Sequence, residues 1–455
     1  MTKTTVSGEV NNETNAHVKP HPKVLIVGQP FNSETGGGIT LSNLFEGWDK
    51  NSLAVVCSAY LINQNTDTDA CSNYYQMGHK EIKWIFPFNL FKRKHYSGPI
   101  QVQKDEKKPT LRQPAPNWRK RLIENYFYPA LEYLGIYNFA TSTDLSPQLR
   151  NWIDEYQPAI IYAQVFSRKS IKLCTLIHQH TNKPLAIHIM DDWPSLMKEH
   201  GLLGRYWYDK VNRELIKLFG RADLLLSISD QMALEYKKRY GHDFVTFHNP
   251  ININFWKQHR RHNFELSKSP TVLYAGRVGT GIDSSLKTIA EAITETNASL
   301  GSSLSFVLQT AEKPSWADKY DCVKHKNFVA YEELPKAFAS ADFLILPYDF
   351  SEKSIKFIGH SMPTKAPEYM ASGSPIIVFA PEVTALVQYA KKYYCAKVIT
   401  ENKVEVLTEA IKSLMLDQNL RARLSKHAVE TVDKNHNAVE VRNRFQSLIC
   451  SLQSI

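Results

Sequence analysis

A lysine and a glutamate stand three residues apart, as Lys365 and Glu368, in the stretch HSMPTKAPEYMASGSPIIVF (360–379). On a helix that spacing puts a cation and a carboxylate on one face. Thr364 is a candidate N-cap, and Pro367 is tolerated in a first helical turn, where its missing N–H is not needed. Gly373 is a helix terminator, and Ser374-Pro375 leads into the buried-strand pattern Ile376-Ile377-Val378-Phe379. Glu368 then falls near the positive end of a short helix, and the segment Ser361-Met362-Pro363-Thr364 brings backbone amides toward an anion. An ordinary surface helix of an α/β domain fits the same pattern, so the rest of the chain has to decide.

Three other stretches carry groups able to bind or react. GQPFNSETGGGITLSNL (28–44) places Gly36, Gly37 and Gly38 at the end of a loop, with a helix expected from Ile39 onward. Such a loop lets backbone approach an anion, although three glycines also suit a tight turn. It matches neither the GxGxxG dinucleotide fingerprint nor the GxxxxGK[ST] phosphate loop, which removes support for hydride transfer and ATP hydrolysis. LAIHIM (185–190) runs into Asp191, Asp192, Trp193 and Pro194. Carboxylates ending a parallel strand lie at the edge where such sheets bind ligands. With no third ligand in view they suit hydrogen bonds to hydroxyls, or a helix cap through Asp192, better than a metal. His188, inside that strand, points either into the core or toward a cleft. YAGRVGTGID (274–283) sets Arg277 just after a strand, followed by Gly279 and Gly281. A guanidinium there suits a phosphate, whose oxygens its planar fork can meet in pairs, or else a surface salt bridge.

Short apolar runs alternate with helical patterns and position these groups. Strands are expected at 23–28, 52–58, 159–164, 184–190 and 222–229, then at 271–276, 304–309, 327–331, 342–348 and 374–380. Helices are expected between them, as in SPQLRNWIDEYQ and KVNRELIKLFGR. Strand–helix alternation implies α/β domains with doubly wound parallel sheets. The polar, basic, Asn-rich segment 250–269 reads as a linker and hinge. The expected organisation is a loose tail over 1–21, a first domain over 22–250, linker and second domain over 251–435, and a C-terminal helix over 436–455. That helix is expected to bury Val439, Val441, Phe445, Leu448 and Leu452.

The 455 residues carry a net charge of +10, and 43% of them are hydrophobic, which is ordinary for a globular chain. No apolar run approaches the roughly 18–20 residues that span a bilayer. The first twenty residues lack the apolar core of a secretory signal. Six scattered cysteines without CxxC pairing suit core thiols in a reducing cytoplasm. Charge concentrates between Lys80 and Glu124, where twelve Lys/Arg face four Asp/Glu and Trp84, Phe86, Phe88, Phe91 and Trp118 are interleaved. This segment is either a solvated insertion or a peripheral contact with the anionic inner face of a membrane. Nucleic acid is not expected, because no nucleic-acid motif accompanies the charges.

Together the GGG loop, the AGR after the first strand of the second domain, FVAYEELPKAFASADFLILPY and PTKAPEYMASGSPIIV resemble the GT-B glycosyltransferases of the large retaining family 4. The resemblance runs in order over about 22–455. It implies two Rossmann-like domains facing a central cleft, with the nucleotide-sugar donor held mainly by the second and the acceptor mainly by the first. It also implies that the final helix packs back on the first domain. Glu368 corresponds to the second glutamate of the family's E-x7-E pattern, which meets the donor ribose hydroxyls. Arg277 corresponds to the arginine on the diphosphate, with Lys365 sharing that charge. Gly36, Gly37 and Gly38 would lie against the donor phosphates or sugar, and Val329 and Tyr331 at the base. His360, Ser361, Met362, Pro363 and Thr364 complete the donor loop. Asp191, Asp192 and Trp193 fall on the acceptor side, where His188 or Asp191 would orient the acceptor hydroxyl. Two departures stand out: His360 occupies the position of the first glutamate, and the lysine common after AGR is missing. The implied activity is transfer of a sugar from a UDP-linked donor to a glycan or lipid-linked acceptor, in bacterial surface polysaccharide or glycoconjugate assembly. No metal or other cofactor is required. A non-catalytic nucleotide-sugar binder and a GT-B UDP-sugar epimerase are the alternatives.

Overall fold

The structure, a computed structural model, describes residues 21–32, 35–91, 95–100, 122–198, 201–279 and 281–454. Residues 1–20 of the tail expected over 1–21, and much of the basic run, residues 92–94 and 101–121 with Trp118, lie outside them. Sixteen strands are named among the described residues. The first lobe contains β1 (Val24–Gly28), β2 (Leu53–Ser58), β3 (Asn73–Met77), β4 (Ile82–Trp84), β5 (Gly98–Ile100), β6 (Thr141–Thr143), β7 (Ile160–Gln164), β8 (Leu185–Ile189), β9 (Leu224–Ser227) and β10 (Val245–Thr246). The second contains β11 (Thr271–Ala275), β12 (Ser305–Gln309), β13 (Val323–Lys326), β14 (Phe343–Pro347), β15 (Ile376–Phe379) and β16 (Lys397–Ile399).

Eight strands form the first sheet in the order β10-β9-β8-β7-β1-β2-β3-β5, and six form the second in the order β13-β12-β11-β14-β15-β16. Only β5 runs antiparallel to its neighbour, while β4 and β6 pair as a separate antiparallel ribbon. Central strands such as β1, β7 and β8 are buried along their whole length. They carry continuous apolar runs because helices cover both faces of a parallel sheet. Each covering helix buries one stripe: Leu149 and Ile153 on Pro147–Tyr156, and Val211, Leu215, Leu218 and Phe219 on Gly204–Phe219.

Three expectations shift. The run at 327–331 is no strand: β13 lies just before it, residues 327–330 form a loop, and Tyr331–Glu333 is a single 3-10 turn. The helix after β1 begins at Gly36, so all three glycines form its first turn. β3, β5, β10 and β16 carry no strong apolar β-branched run in the sequence and were not expected.

The chain crosses between lobes twice, and the crossings pair. Ile251 bridges Asn437 in parallel, with Ile251 N–H donating to His436 O and Ala438 N–H to Ile251 O. The helix Ala438–Ser451 then lies on Gly36–Phe45, where Arg442 Nε donates to Asn43 O and Gln446 Nε2 to Glu46 O. Phe445, Ile449 and Leu452 are buried there, and Val441 and Leu448 pack partly against the same core. Val439 corrects the expectation: it is 59% exposed, at the mouth of the cleft.

Candidate functional site

The helix Lys365–Ser372 stands at the C-terminal edge of the second sheet. Thr364 occupies the N-cap position with helical backbone angles and no side-chain capping bond. Pro367 sits in the first turn, and Gly373 ends the helix at φ 78°. That conformation favours glycine, and a Cβ there would come within 2.8 Å of Arg261 O. Tyr369 fastens the helix to the end of β11, where its hydroxyl accepts from Ala275 N–H at 2.9 Å.

On the neighbouring face of the helix, Lys365 Nζ donates to Ala275 O at 2.5 Å and lies 4.6 Å from the Tyr274 ring centroid. Burial pulls its pKa down to about 8, aided by the nearby Arg277 charge and opposed by Glu368. Burial likewise pushes Glu368 up to about 7, against the pull of Lys365. Both side chains keep a solvent-facing edge on the cleft. Arg277 is exposed beside them, and among the described residues no carboxylate pairs with it. Two cations and a carboxylate thus stand close together without cancelling one another.

Lys365 and Glu368 border an interlobe cleft of about 1230 Å³, with Arg277 just beyond its Ala275–Gly276 wall. Ala275, Gly276, Val329, Tyr331, Thr364, Lys365 and Glu368 line it from the second lobe, facing Asn32, Ile39, Asn43 and Arg442. Val329 and Tyr331 are more than a third exposed in the loop that replaced the expected strand. Tyr331 lies parallel to Phe255 at 5.1 Å between ring centroids. The sequence reading missed Phe255, Phe328 and the lining asparagines Asn249, Asn252 and Asn437. The Asn-rich composition of the linker was a local signal for Asn252 alone.

Of the three glycines only Gly36 comes up to the second lobe, while Gly37 lies against Gln164 and Gly38 is buried against Asn32. A Cβ on Gly36 would lie 3.7 Å from Thr364 Cγ2, so this turn approaches the Lys365 helix across the gap. A Cβ on Gly38 would overlap the Asn32 side chain, and one on Gly37 would come within 2.8 Å of Gln164 Oε1. Thr35 caps the turn by accepting from Gly38 N–H at 3.1 Å.

The DDW stretch divides. Asp191 is on the cleft rim, where it accepts from Ser361 Oγ of the opposite lobe at 3.1 Å. Crowding by protein raises its pKa, Ser361 opposes this, and the Asp192 charge adds to it. Asp192 is a correction: it is 2% exposed and turned inward. It accepts from Arg239 through both oxygens, at 2.8 and 3.0 Å, and also from Tyr236 and Ser195. Nothing remains to offer an acceptor. Trp193 spends its indole N–H on Val165 O and packs on the first-lobe core. His188 is a further correction, because it is wholly buried and bonded through Nδ1 to the Tyr162 hydroxyl at 2.7 Å. Burial pulls its pKa to about 3, so it is a neutral core residue with no access to a substrate.

The donor loop is also less open than expected. Ser361 N–H is already bonded to Ile358 O, Met362 is buried in the second-lobe core, and Pro363 has no N–H. His360 turns toward the first lobe, with Nε2 3.8 Å from Asp192 Oδ2 and its carbonyl accepting from Ser229 Oγ. Among the described residues no group of three His, Cys, Asp or Glu side chains is placed to hold a metal ion.

Two parallel α/β lobes facing one cleft, tied by paired crossings and a returning helix, define the GT-B fold. Residues 257–431 match the family model described as Glycosyl transferases group 1. That stretch holds Arg277, Lys365 and Glu368. No curated protein matches the chain. Among solved structures, HepE of Anabaena in complex with UDP and glucose is similar over 95% of this chain and 100% of its own, at 13% identity and a TM-score of 0.59. Sucrose-phosphate synthase of Thermosynechococcus elongatus is similar over 95% and 99%, at 14% identity and a TM-score of 0.57. The E. coli structure described as trehalose-6-phosphate bound with UDP-2-fluoro glucose is similar over 95% and 99%, at 11% identity and a TM-score of 0.57. At these identities the likeness shows the fold alone.

Proposed function

We propose that the protein is a retaining glycosyltransferase of the family 4 kind, moving a sugar from a UDP-linked donor to a hydroxyl of a glycan or lipid-linked acceptor. The observation that carries this reading is the group of Glu368, Lys365 and Arg277 at the C-terminal edge of the second sheet, within the stretch matched by the family model. In this reading Glu368 accepts hydrogen bonds from the ribose hydroxyls, and the base rests by Val329 and Tyr331. Arg277 and Lys365 meet the diphosphate, and the Gly36, Gly37, Gly38 turn closes over it. The sugar C1–phosphate bond breaks and the acceptor oxygen bonds to C1 on the same face. The acceptor proton passes to the leaving phosphate oxygen. Charge builds on that phosphate, and the cations of Lys365, held in place by the Ala275 carbonyl, and Arg277 stabilise it. Asp191, on the rim, orients the acceptor hydroxyl. We place the reaction in the cytoplasm, at the inner membrane face, in bacterial surface glycoconjugate assembly. No helix among the described residues is long and apolar enough to cross a membrane.

Calorimetric titration of UDP and 2′-deoxy-UDP tests the donor site. Glu368→Ala should lose about 2–4 kcal/mol of UDP affinity, the worth of two hydrogen bonds to a charged group. The parent should discriminate against the deoxy form and the variant should not. Equal discrimination by both would remove Glu368 from the ribose site, and the functional reading with it. Incubating the protein with UDP-glucose or UDP-N-acetylglucosamine without acceptor separates the alternatives: an epimer formed there would mark an epimerase.

A further inference from the structure

A second cavity, of about 250 Å³, opens at the C-terminal edge of the first sheet and stands apart from the groups assigned to the donor. Its walls include Gly28 at the end of β1, Ser58 at the end of β2, and Ser167 and Lys169 just beyond β7. This is the edge at which parallel α/β sheets take ligands. Lys169 supplies the cavity's cation. Its Nζ donates to the Tyr137 hydroxyl at 2.6 Å and lies 4.3 Å from that ring's centroid. Among the described residues no carboxylate forms an ion pair with it. Burial pulls its pKa down to about 8, and the more distant Glu132 only partly opposes this. A half-buried ammonium held by a neutral hydroxyl and an aromatic face is under-compensated, and an anion would relieve it.

Tyr137 leads from this cavity to an apolar surface. Its ring meets Trp84 at 5.5 Å, and Trp84 meets Tyr128 at 5.6 Å. Ile85 N–H bonds to Ala140 O, and Leu202 N–H to Tyr133 O, which joins three chain segments into one layer. The same segments expose Ile85, Phe86, Leu90, Tyr126, Tyr133 and Leu202, each by more than half. Exposed apolar residues gathered this densely mark a contact surface rather than ordinary solvent-facing scatter. The layer's chain ends run in sequence directly into Lys92-Arg93-Lys94 and Arg119-Lys120-Arg121.

Resting on the glycosyltransferase reading, we infer that the acceptor is an amphiphilic phosphate ester, with its phosphate at Lys169 and its hydrocarbon chain along the Phe86–Leu90–Tyr133 surface. The helix bearing Lys169 follows β7, and Asp191 follows the adjacent strand β8. A phosphate at Lys169 therefore leaves the acceptor's sugar hydroxyl on the cleft side. The phosphate keeps all its bonds during transfer and serves as a handle.

Calorimetry on UDP-saturated protein with octyl phosphate, octyl glucoside and inorganic phosphate, kept below micellar concentrations, tests this. Octyl phosphate should bind at least about tenfold more tightly than either of the others, a difference readily measured. Lys169→Met should abolish the preference over octyl glucoside, and Lys169→Arg should retain most of it. Inorganic phosphate binding as tightly as octyl phosphate would overturn the amphiphile and point to a soluble phosphate. No preference for octyl phosphate in the parent, or a preference intact in Lys169→Met, would overturn the site. Should Lys169→Met fail to fold, amine labelling of the parent followed by mass spectrometry decides, because octyl phosphate must slow labelling of Lys169. The preceding UDP titration keeps the two readings separate. Protein that binds UDP but not octyl phosphate loses this inference alone, whereas protein that fails to bind UDP loses the donor site, and Lys169 is then judged on the apo form.

Discussion

Two cation–carboxylate groups flank the cleft, one in each lobe, and they are built in opposite ways. In the first lobe Asp192 receives four side-chain donors, two from Arg239 and one each from Tyr236 and Ser195. Burial alone would pull the Arg239 pKa down, but the Asp192 hydrogen bonds and charge hold it above its ordinary value. In the second lobe Lys365 bonds only a carbonyl, and among the described residues no donor reaches the Glu368 carboxylate. Both Lys365 and Glu368 shift toward their neutral forms. A low-dielectric setting strengthens a satisfied network and penalises an unsatisfied one. The first group therefore holds a lobe together, while the second gains its missing partners when a ligand arrives.

Removing one partner from each group should give different kinds of loss. Asp192→Ala takes the acceptor from Tyr236 and from two Arg239 donors, leaving Arg239 only Glu235 and Ser195, and should cost about 3–5 kcal/mol of stability. Urea denaturation measures it, and UDP affinity of the folded protein should hardly change. Arg277→Ala should show the reverse, with unfolding nearly unaffected because the side chain is exposed and unpaired. Its UDP affinity should fall by about 1.5–3 kcal/mol, the range for a hydrogen bond to a charged group, and its uridine affinity should not. Calorimetry with UDP and with uridine separates the diphosphate from the ribose. A unit loss of uridine binding would mean that Arg277 shapes the lobe rather than meeting the phosphates.

The comparison sharpens further through pH. The folded Glu368 pKa, about 7, lies above its ordinary 4.5. Between those values the folded protein holds more protons than the unfolded chain, so this group's contribution to stability falls as pH rises through the window. Lys365 works in a higher window: its folded value of about 8 lies below the ordinary 10.5, and stability returns as pH rises between them. Glu368→Gln removes the first effect. Its stability relative to the parent should grow by about 1–2 kcal/mol from pH 5 to pH 8, less than the full shift implies because the carboxylate keeps a solvent-facing edge. Denaturation at the two pH values checks this, and a constant difference would show that Glu368 is as well solvated as any surface glutamate.

The same contrast explains what could be read from the sequence. The second-lobe group is local: Thr364, Pro367 and Gly373 bound a helix, and the spacing of Lys365 and Glu368 fixes their shared side. The first-lobe group is not local. Asp191 and Asp192 are adjacent and alike, and only Arg239, Tyr236 and Ser361, far along the chain, turn one inward and the other outward. His188 shows the same limit, since its partner Tyr162 sits on the neighbouring strand. The run at 327–331 misled for a different reason. Phe328 and Val329 are apolar because they line the cleft, whereas the true edge strand β13 alternates partly buried residues with exposed lysines. Apolarity at a ligand edge resembles apolarity in a core. The long central strands β1, β7, β8, β12 and β14 were legible because burial on both faces leaves an unbroken apolar signature.

The smallest expected effect lies between the two groups, at the Ser361–Asp191 contact that joins the lobes across the cleft. Asp191 is exposed at the rim, so losing this bond should cost only about 0.5–1.5 kcal/mol. Global unfolding is a poor readout, because each lobe keeps its own core. The change should appear as lobe separation: Ser361→Ala without UDP should have a larger radius of gyration by small-angle scattering than the parent. UDP should bring the two proteins to the same value by bridging Glu368 and Arg277 to the Gly36 turn. A second consequence follows from sign. The Ser361 bond lowers the Asp191 pKa against crowding by protein and the Asp192 charge, so its loss should raise that pKa further. If Asp191 orients the acceptor hydroxyl as a carboxylate, the acid limb of the activity profile should then move to higher pH in Ser361→Ala. A wider molecule with an unmoved acid limb would leave the contact as a latch and take Asp191 out of the acceptor site.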